Sequence, residues 1–189
     1  NLARDIARAM DRLLVEEKCA DDLTSEPVLE SVAGVARHWE GAIRLFARVN
    51  ARWQFELNAQ GEVDAATRRN LLFDRAARRW KDTPPLHPIV AAGVTSASPA
   101  LARLLRVVAD LPRCAVVLPD LDLAMDDAAW AELGRAGAAV EPSGTVFGTD
   151  DALSHPQYHL KLLLNRMGVN RAEVQQWHRR GIATGGLQV

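Results

Sequence analysis

Four aspartates follow a short apolar run near the middle of the chain, where carboxylates could hold Mg²⁺. They are Asp120, Asp122, Asp126 and Asp127, and the apolar run is 114–118. In α/β sheets the loops after the strands bind ligands, so a degenerate nucleotide site is one interpretation. The other is that Asp126 or Asp127 caps the next helix at the positive end of its dipole, and this second interpretation is favoured.

Two histidines, His155 and His159, lie four residues apart on a predicted helix and could face one metal ion. A zinc site needs three or four ligands, and no third ligand has a matching spacing. We therefore interpret them as surface or capping histidines and predict no metal and no cofactor. The P-loop, GxGxxG, HExxH and GxSxG motifs are also absent, so we predict no catalytic residue.

Arginines at helical spacing are the third chemical feature. Arg44, Arg48 and Arg52 are four residues apart on one predicted helix, and Arg68 and Arg69 belong to an arginine-rich run on the next. Residues 37–81 contain ten basic residues against five acids, whereas residues 1–36 contain four against eight. A basic helical face can follow nucleic-acid phosphates, and the alternative is a solvated face or pairing with the acidic first helix.

The bulk composition is that of an ordinary globular protein. The chain has 189 residues, of which 48% are hydrophobic and 25% charged, with a formal net charge of −1. Cys19 and Cys114 are far apart and in no metal-binding spacing, which predicts a reduced, cytoplasmic protein. No apolar run is long enough to cross a membrane, so no membrane segment is expected. The chain starts without Met inside a helical pattern, so we expect it to be a piece of a longer protein.

Residues 1–85 are predicted to form a helical subdomain. Apolar residues recur at helical spacing from Leu2 to Leu14 and from Val28 to Leu57, with Gly61 as a cap. A third helix is predicted from the N-cap Asp64 to about Lys81, and Pro84 and Pro85 end it. Its predicted buried residues are Leu71, Leu72, Ala76 and Trp80.

Residues 86–180 are predicted to form an α/β subdomain with a small parallel sheet. The apolar runs 89–93 and 114–118 are predicted strands, and Ser98 and Pro99 begin a helix between them. Strand, helix and strand in this order are typical of a right-handed parallel crossover. Further helices are predicted near 126–136 and 155–167, a third short strand at 138–140, and a loose tail at 181–189.

Several runs together resemble the AddB family, whose members are subunits of bacterial AddAB helicase–nucleases, in its alphaproteobacterial form. The runs are 62–70 (EVDAATRRN), 88–100 (PIVAAGVTSASPA), 111–122 (LPRCAVVLPDLD), 126–130 (DDAAW) and 154–158 (SHPQY). They cover the chain from about residue 37 to 177 in a consistent order. Residues 141–153 and 181–189 depart from the family pattern, and their role is open.

The resemblance implies the inactive helicase-like half of such a subunit, with a degenerate superfamily 1, P-loop NTPase-like fold. The strand that carries the catalytic acid in active relatives would here be 89–95, which contains no acid. The family's nuclease domain and four-cysteine iron–sulfur site would lie elsewhere, since two cysteines cannot supply four ligands.

The predicted function is a non-catalytic scaffold and DNA-channel segment in double-strand break repair. Its expected partners are an AddA-type helicase–nuclease subunit and single-stranded DNA, which an isolated fragment would bind weakly. The candidate phosphate contacts are Arg44, Arg48, Arg52, Arg68, Arg69, Thr95 and Ser96. The alternatives are a protein-interaction module that docks the helicase partner, and a small nucleotide-binding enzyme with a degenerate site at Asp120–Asp127.

Overall fold

The computed structural model describes residues 1–24, 36–138, 147–148 and 150–176. The chain divides into two compact units, Asn1–Val117 and Leu118–Val189. The predicted boundary between residues 85 and 86 lies inside the first unit, because helices on both sides of it pack together. The predicted tail at 181–189 lies outside the described residues.

The first unit begins with helices whose starts are fixed by short polar side chains. Helix α1 is Leu2–Val15, and a 3₁₀ turn follows at Asp21–Thr24. Helix α2 is Ala36–Gln60 and helix α3 is Ala65–Asp82. Asp64 Oδ1 accepts a hydrogen bond from the Ala66 N–H at 2.8 Å, which confirms the predicted N-cap. The predicted helix residues Val28 and Val32 lie outside the described part.

Two short strands form a parallel sheet, as predicted. Strand β1 is Val90–Ala92 and strand β2 is Ala115–Val117, with Val90 opposite Ala115. Helix α4, Pro99–Asp110, connects them and packs on both strands. The fold is therefore mixed α/β, mostly helical in its described residues, with a small parallel sheet.

The core of the first unit lies around α4, where Ala100, Ala102, Leu105, Val107 and Val108 are buried. Helix α3 packs on α4 and α1. Small buried residues on α3, Ala66 and Ala77, let the helices approach each other. Asn70, which lies between these two alanines in sequence and is also buried, donates a hydrogen bond from Nδ2 to the Leu14 carbonyl of α1 at 2.7 Å.

The prediction that Leu71 and Leu72 are buried is wrong, since they are 43% and 52% exposed. Successive helical residues turn by about 100°, so these leucines point away from the face that Asn70 marks. The fully buried residues of α3 are Ala66, Asn70 and Ala77, none of which is a large apolar residue, so an apolar pattern does not mark the packed face.

The second unit is built on two helices, α5 at Asp127–Glu132 and α6 at Tyr158–Met167, followed by a 3₁₀ turn at Arg171–Glu173. Helix α5 is shorter than the predicted 126–136, because the chain turns at Gly134 with φ of 88°. Gly168 ends α6 in the left-handed conformation. The core residues are Leu133, Ala136, Tyr158, Leu162, Leu163, Leu164 and Met167.

The predicted third strand is only partly described. Ala138 is not in a strand, and Ala139 and Val140 lie outside the described residues. Within the described ranges, no helix combines the length and the apolar character needed to cross a membrane.

Candidate nucleic-acid interface

The α2 arginines are exposed, and their spacing of four residues places them on one side of the helix. Arg44, Arg48 and Arg52 all lie at the surface. Arg52 forms an ion pair with Glu56 one turn further along α2, and its guanidinium carbon lies 5.3 Å from the centre of the Phe55 ring. Arg52 is therefore paired within its own helix and not with an acid of α1.

The α3 arginines form a second basic surface, and it is less neutralised. Arg68 and Arg69 are exposed, as are Arg75 and Arg79. Arg68, Arg75 and Arg79 recur at spacings of seven and four residues, which places them on one side of α3; we call these three the arginine stripe. Within the described part of the chain, no guanidinium of the stripe has an ion-pair or hydrogen-bond partner.

The arginine stripe points away from the rest of the first unit. On the packed side of α3, Asn70 contacts the α1 carbonyl of Leu14, and Asp74 pairs with Arg103 of α4, Nε to Oδ1, at 2.9 Å. Arg103 also binds Glu17, so this one arginine engages both Asp74 and Glu17. Hydrogen bonds to Glu17 and Asp74 raise the pKa of Arg103 above its ordinary value.

Two stripe members, Arg75 and Arg79, are absent from the residues selected from the sequence. Their signal is present there, because steps of seven and four residues from Arg68 return to the same side of a helix. The run of six basic residues between 68 and 81 obscures this pattern, and only the position of the packed face shows which side of the helix is turned to solvent.

Thr95 and Ser96 lie in the loop between β1 and α4, and both are exposed. The loop leaves the carboxyl end of β1 through Gly93, whose φ is 69° and whose N–H donates to the Val117 carbonyl at 3.2 Å. This is the edge where ligands bind in parallel sheets. The loop contains no charged residue, so Thr95 and Ser96 could contribute only hydroxyl and main-chain hydrogen bonds.

The acidic residues of the second unit are used mainly for local structure. Asp126 Oδ1 accepts from the Ala128 N–H at 2.8 Å and caps α5, which confirms the capping interpretation. Asp122 Oδ1 accepts from two main-chain N–H groups, of Ala124 and Met125. Asp127 pairs with Arg171. In the described ranges no three His, Cys, Asp or Glu side chains are grouped to hold a metal ion.

Removing the cap at Asp126 tests this assignment. Asp126→Ala is expected to lower the free energy of unfolding of the second unit by about 1 kcal/mol, because two N–H groups lose their acceptor. Asp126→Asn should change it little, since the asparagine side chain also caps helices. Urea denaturation of the two variants measures the difference, and equal stabilities would contradict the capping role.

The two histidines have different environments. His155 Nδ1 accepts from the Gln157 N–H at 3.1 Å, immediately before α6, so it acts as a local cap. His159 is exposed, and its ring meets that of Tyr158 edge-on at 5.7 Å. This agrees with the interpretation of surface or capping residues.

The polar centre of the second unit is Asp151, which the sequence does not mark. Its carboxylate accepts from the Arg135 N–H at 2.7 Å, the Ala136 N–H at 3.3 Å and the Tyr158 hydroxyl at 2.9 Å. Gly134 permits this approach, because a Cβ there would lie 2.2 Å from Asp151 Oδ1. Asp151 therefore joins the α5–α6 connection to the start of α6.

The ionisation of these groups follows from their surroundings. Burial raises the pKa of Asp151, but hydrogen bonds from Tyr158 and from main-chain N–H groups outweigh it, so the pKa is below its ordinary value. Burial, followed by the bond to Asp151, raises the pKa of Tyr158 to about 12. Burial lowers the pKa of Lys161, whose Nζ donates to the Trp130 carbonyl at 2.7 Å.

Comparison with known proteins adds no family. No family model, curated protein or solved structure matches the chain. The resemblance to AddB-type subunits therefore depends on the sequence runs alone, and any function must be argued from the surfaces described above.

Proposed function

We propose that this chain is a non-catalytic, DNA-contacting scaffold segment of an AddB-type subunit, from a helicase–nuclease of double-strand break repair. The sequence runs suggest the family, and the exposed arginines of α2 and α3 supply a surface for the sugar–phosphate backbone. An AddA-type subunit and single-stranded DNA are the partners that this proposal implies.

The observation that carries the proposal is the arginine stripe. Three guanidinium groups share one solvent-facing side of α3, and none is neutralised within the described residues. Like charges spaced in this way repel one another and add nothing to the core, so a polyanionic ligand is the simplest explanation for them. Arginine is well suited to this role, because its planar group binds phosphate with two parallel hydrogen bonds.

Two further features favour a scaffold over an enzyme. Strand β1 and the loop after it contain no acid that could bind Mg²⁺, and the acidic cluster at Asp120–Asp127 engages main-chain N–H groups and Arg171. The parallel β1–α4–β2 arrangement agrees with a helicase-like sheet at the level of topology. The interpretation as a nucleotide-binding enzyme at Asp120–Asp127 is therefore the weaker one.

The proposal is tested by anisotropy titration of a labelled single-stranded oligonucleotide with the chain. We expect weak binding that falls steeply between about 50 and about 200 mM salt, because each phosphate contact releases condensed counterions. We also expect magnesium-dependent ATP hydrolysis no faster than in buffer. Salt-independent binding, no binding at low salt, or ATP turnover that Asp122→Ala abolishes would contradict the proposal.

Docking of a helicase partner through α2 is a second candidate. Trp39, Leu45 and Trp53 are 39%, 52% and 45% exposed, which is unusual for large apolar residues on one helix. Trp39 also lines an apolar groove between α1 and α2 together with Leu2 and Ile6. Co-purification with an AddA-type subunit that Leu45→Glu disrupts, without any change in oligonucleotide binding, would favour docking.

A further inference from the structure

An exposed phenylalanine, Phe55, lies beside the α2 arginines. Phe55 is 61% exposed, and Arg52 and Arg48 precede it by three and seven residues, which places all three on one side of α2. The Arg52 guanidinium carbon is 5.3 Å from the ring centre, so the ring and the cation already form a stacked pair. An aromatic ring in a basic surface differs chemically from a simple row of charges.

Packing among the residues that the structure describes does not account for Phe55. The buried side of α2 is marked by Ile43 and Leu57, which are 4% and 7% exposed. At about 100° per residue, Phe55 lies roughly 120° to 160° around the helix from both of them. Its ring therefore contributes little to the core, and leaving most of it in water costs free energy that a ligand would recover.

Proteins that bind single strands combine basic grooves with aromatic rings on which bases stack. Bases in a duplex are already stacked inside the helix, so an exposed ring beside phosphate-binding arginines favours a single strand. The surroundings also match this ligand better than an apolar protein surface, because α2 has three arginines in residues 41–60 against one acid, Glu56.

We infer that Phe55 is a base-stacking residue, and that the α2 surface of Phe55, Arg48 and Arg52 binds single strands through their bases as well as their phosphates. This inference rests on the proposed function, since it presupposes nucleic-acid binding. It goes further by assigning a residue that contacts bases and by requiring a strand with unpaired bases.

The test compares a thymidine oligonucleotide with an abasic strand of the same length, which has the phosphates but no bases. The wild-type chain should bind the thymidine strand more tightly than the abasic strand. Phe55→Leu should weaken binding of the thymidine strand by roughly 5- to 150-fold, which is the range for the loss of one base–aromatic stack. The affinity for the abasic strand should not change. Phe55→Trp should retain the preference for bases, since indole also stacks.

Phe147 provides a matched control. It is also an exposed phenylalanine with an arginine over its ring, Arg166 at 5.8 Å, but it lies in the second unit, away from the α2 arginines in sequence. Phe147→Leu should leave both affinities unchanged.

The outcomes separate this inference from the proposed function. Wild-type binding that is equal for the two strands, or a Phe55→Leu variant that keeps the preference for bases, would overturn the inference and leave the proposed function intact. Equal losses on both strands would show that Phe55 acts through structure and would also overturn it. A wild-type chain that binds neither strand would refute both proposals.

Discussion

Asp151→Ala is expected to unfold the second unit or to lower its free energy of unfolding by about 3–5 kcal/mol. The substitution leaves two partly buried donors without an acceptor, the Ala136 N–H and the Tyr158 hydroxyl, and also removes the acceptor of the exposed Arg135 N–H. Each unpaired donor costs about 1–3 kcal/mol, whereas whole domains are stable by only about 5–15 kcal/mol. Loss of hydrogen-exchange protection in the α6 amides measures the effect.

The neighbouring aspartate is the control. Asp150 is exposed and has no hydrogen-bond or ion-pair partner within the described residues. Asp150→Ala removes the same charge from the same loop and should leave α6 protected. If the two variants exchange at equal rates, Asp151 does not hold the unit together.

Asp151 also gives the second unit a defined pH dependence. The pKa of Asp151 in the folded chain is below the ordinary 3.8. The ionised carboxylate therefore contributes its full stabilisation above about pH 3.8, and this contribution is lost as the pH falls through the lowered pKa of the folded chain. Tyr158 has the opposite pH dependence, because folding raises its pKa from 10.0 to about 12. Its contribution to stability is present below pH 10 and is lost as the pH rises from 10 to about 12. The stability difference between wild type and Asp151→Asn should therefore shrink below about pH 4.

Local signals were sufficient to predict much of the first unit. Ser98 followed by Pro99 predicts the start of α4, Asp64 predicts the start of α3, and two apolar runs of matching length predict paired parallel strands. Each of these signals acts within a few residues, through a cap, a fixed φ or an apolar run. The helicase-like identity of the sheet stays a prediction, because two parallel strands are compatible with many α/β folds.

What the sequence could not show depends on contacts between distant residues. Leu71 and Leu72 are exposed because α3 packs through Asn70 and two alanines, and no apolar periodicity marks such a face. Asp151 lies in the stretch 141–153, which departs from the family pattern, yet it accepts hydrogen bonds from N–H groups 15 and 16 residues earlier in the chain. A single carboxylate in a loop has no local pattern, so only the folded chain distinguishes it from Asp150.

The candidate interface also combines features that the sequence predicts with features that only the folded chain shows. The arginines of α2 were found from their regular spacing, but the ion pair of Arg52 with Glu56 reduces the charge available there. The arginine stripe of α3 is only partly predicted from the sequence, because six basic residues crowd the run and only the packed face shows which side of the helix is turned to solvent. The structure therefore moves the stronger phosphate-binding candidate from α2 to α3.

Replacing Arg68, Arg75 and Arg79 together by Gln should weaken binding to single-stranded DNA by about 100-fold at about 0.1 M salt. On single strands, each phosphate contact contributes about 0.7 to the slope of log affinity against log salt concentration. Three contacts therefore change the affinity by roughly two orders of magnitude over a tenfold change in salt concentration. The salt slope of the variant should be smaller by about 2 for the same reason. Stability should be nearly unchanged, since the three side chains are exposed and have no partner among the described residues.

The matched comparison is the triple replacement of Arg44, Arg48 and Arg52 by Gln on α2. It removes the same formal charge, but Arg52 is already paired with Glu56, so the slope should decrease by less than in the α3 variant. Titrations at several salt concentrations, with circular dichroism as a check on folding, distinguish the two helices. An α3 variant with wild-type slope would remove the stripe from the DNA path, and a larger decrease in the α2 variant would return the main contact to α2. Only a larger loss in the α3 variant agrees with a DNA path along the unneutralised side of that helix.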